Sequence, residues 1–149
     1  MSFFPTLDSF TCVAALAALA YAPHVVKAYT IVKSTGRYSL HNPRETVARA
    51  VAELGPEKEQ ARLISRLQSC HNNHLEHFPI AAAAVLMAAA AGVDRAATNA
   101  AATAIVAARV VHFVAYWQGA WGVRSAAFVL GVVPVGFLFY TAAAAHAKA

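Results

Sequence analysis

The sequence predicts an all-α membrane protein, a four-helix transmembrane bundle forming a single domain over residues 1–149, and three observations carry that prediction. Hydrophobic residues make up 59% of the chain and charged residues 13%, whereas a soluble domain averages about 45–50% and about 25%; the mean hydropathy is +0.50. Long apolar stretches run without interruption by charge runs. Lysines and arginines collect at the first of the three connections between those stretches, with Arg124 added on the same side at the third.

The first span covers about Ser9 to Val32, with Pro23 as a kink and Lys27 near its polar end. Proline is tolerated in a spanning helix where neighbours satisfy the carbonyl it frees. The preceding MSFFPTLD lacks the basic flank of a signal peptide, and the apolar run is longer than a signal core, so the segment is expected to stay as a helix. The second span has Ile80 to Ala91 as its apolar end, which would rise only about 18 Å against about 30 Å of hydrocarbon. Upstream, GPEKEQARLISRLQSCHNNHLEH holds good helix formers after Gly55-Pro56 and no breaker before Pro79. A helix from about Glu57 to Ala91 would be about 50 Å long and project beyond the apolar layer. A third span, about Ala96 to Trp117, follows the turn GVDR, and a fourth, about Ser125 to Ala145, follows QGAWGV. Such short connections give up-and-down topology.

Lys33, Arg37, Arg44, Arg49, Lys58 and Arg62 surround the first connection, about residues 34–56, and Arg124 joins them at the third, against Arg95 and Lys148 on the opposite side. The positive-inside bias therefore predicts that the first and third connections are cytoplasmic. A formal charge of +5 raises nucleic acid as a partner, but no stripe of alternating basic and aromatic residues exists to hold a strand, so none is expected. Cys12 and Cys70 are too few for a disulfide framework.

The chemistry concentrates in CHNNHLEHFP, residues 70–79. Arg66, Ser69, Asn73 and Glu76 advance by three, four and three residues and share one helix face, and Arg109, His112 and Tyr116 do the same on the third span. Arg109 follows the apolar tetrad IVAA, so its charge needs a carboxylate, a ligand or water. Glu76 is the opposite charge available, and Arg124 and Ser125 open the fourth helix nearby. His71, His74 and His77 advance by three residues each, rotating by about 60 degrees per step, so three imidazoles do not converge on one ion from a single helix. Pairs stay open, but with no HExxH and no closely spaced cysteine pair no metal is expected, and these histidines are read as alternative acid–base groups.

Four strings, HNPRE at 41–45, RLQSCHNNHLEHFP at 66–79, RVVHFVAY at 109–116 and WGVRSAAF at 121–128, together with the layout of spans, resemble the superfamily of membrane-associated proteins in eicosanoid and glutathione metabolism. That group includes microsomal glutathione transferases, microsomal prostaglandin E synthase and leukotriene C4 synthase. The resemblance implies a homotrimer binding glutathione between protomers near the cytosolic membrane face. It implies that Arg66, Asn73, Glu76, Arg109, His112 and Tyr116 hold the cofactor, and that Arg124, with Ser125, keeps the sulfur as thiolate, because a guanidinium within reach favours the charged form. The chain departs from the pattern at Ser69, where an arginine is expected, and at Phe128, where some branches carry tyrosine.

Three functions follow from this reading. The first is a membrane-bound, glutathione-dependent transferase, peroxidase or isomerase acting on a lipophilic substrate that enters from the membrane lipids. The second is a glutathione-independent acid–base isomerase or cyclase built on the histidines. The third is a non-catalytic lipid-binding or scaffold protein. All three place an integral protein in the endoplasmic reticulum of a eukaryote or the inner membrane of a bacterium, with the site facing the cytoplasm.

Overall fold

The computed structural model describes residues 6–148. Five helices follow one another: α1 (Ser9–Thr35), α2 (Pro43–Leu54), α3 (Glu59–Ala90), α4 (Arg95–Gln118) and α5 (Trp121–His146). The expected count of four is thus corrected to five, because the first connection contains a helix of its own. PRETVARAVAEL starts with Pro43 in its first turn, where a missing N–H costs nothing. Its Val47, Ala50, Val51 and Leu54 recur at helical spacing and pack with Ile31 of α1 and Ile64 of α3.

Helices α1, α4 and α5 are each long and apolar enough to cross a membrane. Helix α3 is the longest at 32 residues, apolar only in its second half, and runs almost over the limits expected for it. It packs against each of the other four helices, while α4 and α5 form a close pair. The core where α1, α3, α4 and α5 meet is dominated by small residues, with Ala81, Ala84, Ala88, Ala101 and Ala102 among Leu16, Val85, Ile105 and Leu138. Small side chains let the backbones approach, and dispersion does the packing that the hydrophobic effect cannot do inside lipid. The outward faces carry Tyr21, Val25, Leu130, Val133 and Tyr140, all more than half exposed.

Local chemistry explains the ends. The Asp8 carboxylate accepts from the N–H groups of Phe10 and Thr11 at 3.1 and 3.4 Å and pairs with Arg95 at 3.2 Å, tying the start of α1 to the start of α4. Gly36 and Gly119 end α1 and α4 with φ of 74°, a conformation that suits glycine. The carbonyls at the end of α4 are taken by Arg66, which donates from Nε to Tyr116 at 3.0 Å and from Nη2 to Trp117 at 3.3 Å.

The α1–α3 contact includes an exchange of hydrogen bonds at Pro23, which lies inside α1. Proline has no N–H, so the carbonyl four residues earlier, that of Leu19, loses its helical donor. His74 supplies the replacement from Nδ1 at 3.1 Å, and His71 reaches the Ala20 carbonyl from Nδ1 at 2.7 Å. A carbonyl only accepts, so both imidazoles carry a proton on Nδ1.

Replacing His74 with Phe leaves the Leu19 carbonyl unpaired and is expected to cost about 1–3 kcal/mol in unfolding measured in mild detergent. Pro23→Ala restores a backbone donor, so the double variant should recover part of that loss, and strictly additive effects would contradict the pairing. At Asp8, partial burial raises the carboxyl pKa, but hydrogen bonds from Thr11, Arg95 and Phe10 outweigh it, and the net value lies below the ordinary 3.8. A carboxylate depressed in the folded state stabilises above its unfolded value and loses that contribution as pH falls through the folded one. Acid should therefore loosen the α1–α4 end only below about pH 4, and Asp8→Asn, which keeps the cap but not the charge, should flatten that dependence.

Candidate functional site

Helices α3, α4 and α5 bring most of the predicted polar residues into one row. Arg109 is buried, with 1% exposure, and donates from Nη2 to the Asn73 side-chain oxygen at 2.8 Å. One turn along α4, His112 is also buried; its ring meets Tyr116 edge-on at 5.0 Å, and the Arg124 guanidinium sits 4.9 Å from the Tyr116 ring centre. Cation and aromatic face are mutually attractive there. Asn73, Arg109, His112, Tyr116 and Arg124 thus form a continuous strip.

Electrostatically the strip is one-sided. Glu76, the expected counter-charge, is exposed, and among the described residues it makes no ion pair with Arg109; the partner is the neutral Asn73. The correction has a simple cause: Asn73 and Glu76 stand three residues apart on α3, and the inward position belongs to the amide. Arg109 Nη1 finds no hydrogen-bond partner at all. An unmatched buried donor on a full positive charge is expensive.

Other predicted residues border the strip with side chains engaged elsewhere. Arg66 donates to the carbonyls at the end of α4 and pairs with Glu59 at 2.6 Å, while the largely exposed Arg37 pairs with Glu53 at 2.8 Å. The Ser69 hydroxyl donates back to the Ser65 carbonyl at 3.1 Å, and Ser125 likewise to Trp121 at 3.1 Å, leaving the Ser125 oxygen to accept.

The imidazoles divide by role. The Nδ1 proton of His74 goes to Leu19, so its Nε2 accepts, and His112 must donate to it from Nδ1 across 3.3 Å. That leaves Nε2 with a lone pair on the His112 ring, which meets Tyr116 edge-on. His77 is buried with neither ring nitrogen partnered, and with Asn73 and Glu76 it forms the polar end of a cavity of about 270 Å³ walled by Ile80, Phe128, Val132 and Val135. Gly131 stands against His77 and Arg109: a Cβ there would lie 3.8 Å from His77 Nε2 and 3.7 Å from Arg109 Cδ. Spacing within one helix could not reveal Gly131 or the His74–His112 contact, since both are made across helices.

Three potential metal-ligand atoms, one each from Cys70, His74 and His112, lie within 4.8 Å of one another and are buried. They converge across two helices, which the rotation of His71, His74 and His77 along one helix did not address. The buried Arg109 charge acts on all three, opposing a further cation, and the two imidazoles already satisfy one another.

A helical membrane protein with a cationic strip between spans is the class these features define. The MAPEG family model matches residues 9–144, and the chain belongs to that family, which is associated with glutathione and lipid metabolism. No curated protein and no solved structure matches the chain significantly.

Because Arg109 lacks a counter-charge, Arg109→Met should leave unfolding in detergent unchanged or raise stability by about 1–4 kcal/mol, as hydrophobic replacements of buried ions do. A large loss would show instead that the guanidinium is structural.

Proposed function

We propose that this protein is a membrane-bound, glutathione-dependent enzyme, a transferase, peroxidase or isomerase, acting on a lipophilic substrate. The observation that carries the reading is the buried Arg109 guanidinium with an unused donor, set between Asn73 and the His112–Tyr116–Arg124 strip. That arrangement suits a small molecule with several charged ends. Glutathione would supply a thiol nucleophile. Arg109 and Asn73 take a carboxylate, exposed Glu76 takes the amino group, Tyr116 offers a directional hydrogen bond, and Arg124 favours a deprotonated sulfur.

Homotrimeric assembly belongs to the same proposal. Glu76 and Ser125 are exposed on the single chain, and a second protomer would close the strip and exclude water. The basic end faces the cytoplasm in this reading, by the distribution of lysine and arginine. Intact-complex mass in mild detergent should give three chains; a fully active monomer would remove the shared site.

Glutathione is expected to bind saturably, with a thiol that ionises below its free value when followed by thiolate absorbance against pH. Arg124→Ala should return that ionisation toward the free value while leaving binding largely intact, and Arg109→Met should weaken binding by about 2–3 kcal/mol. Absence of saturable binding would reject the proposal. It would favour acid–base chemistry on a hydrophobic metabolite, for which the unpartnered His77 beside an apolar cavity is the supporting observation; His77→Phe would then abolish turnover.

A further inference from the structure

A second buried cation lies on another face of the bundle, away from the strip. Lys27 of α1 is only 3% exposed, yet its ammonium is met by neutral groups: the Gln68 side-chain oxygen at 2.5 Å and His24 Nδ1 at 3.3 Å. The ion pairs among the described residues are Arg37–Glu53, Arg49–Glu45, Arg66–Glu59 and Arg95–Asp8, and none includes Lys27. Two acceptors leave one of three ammonium donors over.

Lys27 lines a cavity of about 700 Å³ between α1, α2 and α3, and no acidic residue lines it. Gln68 donates from Nε2 to the Asn72 side-chain oxygen at 2.7 Å, which turns Asn72 so that its amide hydrogens remain as donors, and Asn72 lines the same cavity. The other walls include Val47, Ala48, Val51 and Leu75, from the amphipathic α2 and the edge of α3. Lys27 stands eight residues before the end of α1, about 12 Å along the axis. A cationic donor set, an apolar wall and a position near the end of a spanning helix fit one chemistry.

We propose that this cavity binds a single-chain amphiphile by its oxyanion head, with Lys27 and Asn72 holding the head and the apolar residues of α2 and α3 covering the start of the chain. The head is a carboxylate of a fatty acid or a phosphate of a lysophospholipid, which present the same acceptors. The site shares no residue with the Asn73–Arg109–Arg124 strip and does not depend on the glutathione reading.

The test is fluorescence titration of the full-length protein in uncharged maltoside detergent with the fluorescent fatty acid cis-parinarate. Binding should saturate, and displacement by oleate or by oleoyl lysophosphatidate should succeed where monoolein, which lacks the charge, fails; the stronger of the two displacers identifies the source of the head. Lys27→Met should weaken binding about tenfold or more, whereas Lys27→Arg should stay within about threefold. Ala48→Trp, at an exposed position lining the cavity, should block binding by filling it, which keeps the test decisive if Lys27 variants fold poorly. Displacement by monoolein as effective as by oleate, displacement by millimolar inorganic phosphate or glutathione alone, or unchanged affinity in Lys27→Met would each overturn the proposal.

Discussion

A backbone carbonyl inside an apolar layer has nowhere to turn but to the protein, and much of this structure is arranged around that constraint. Pro23 takes the donor from Leu19, and the deficit is met by His74 from α3. Once Nδ1 of His74 is committed, Nε2 can only accept, His112 must donate to it, and the second nitrogen of His112 keeps a lone pair on the ring that meets Tyr116. A proline in α1 therefore sets the protonation of a ring on α4. His74 joins the architecture to the candidate chemistry, and that is why its three-residue spacing from His71 and His77 says little about metal binding.

The same accounting explains the strip. Arg109 is satisfied on one side by an amide and left open on the other, although an acidic residue stands one turn away on α3. Pairing Glu76 with Arg109 would remove the imbalance and close the site. With Glu76 outside, two opposite charges stay separate, which is the arrangement the proposed zwitterionic ligand would use, and the uncompensated guanidinium costs stability.

What the sequence made legible follows from the range of its signals. Gly55-Pro56 and the absence of a breaker before Pro79 located α3 to within two residues at its start, because backbone punctuation is local. The face shared by Arg109, His112 and Tyr116 was legible for the same reason, since helical spacing is intrinsic to one element. Helix α2 was passed over because its low hydropathy hid a clear pattern: Val47, Ala50, Val51 and Leu54 mark an amphipathic helix, and reading periodicity apart from membrane hydropathy would have found it. The choice of Asn73 over Glu76, the commitment of Arg66 to Tyr116, and the contacts at Gly131 depend on the rotation of helices against one another. Residue spacing along one helix does not contain that rotation.

Two buried cations, Arg109 and Lys27, lie on different faces, each held by neutral side chains. The chain has acids enough to neutralise both, yet Asp8, Glu45, Glu53 and Glu59 pair with the arginines Arg95, Arg49, Arg37 and Arg66, three of them mostly exposed. Such exposed pairs contribute about 0–1 kcal/mol each, far less than an uncompensated buried charge costs. Stability alone would distribute the acids the other way. Buried positive charges without internal counter-charges are therefore the observation on which both proposed anion sites rest.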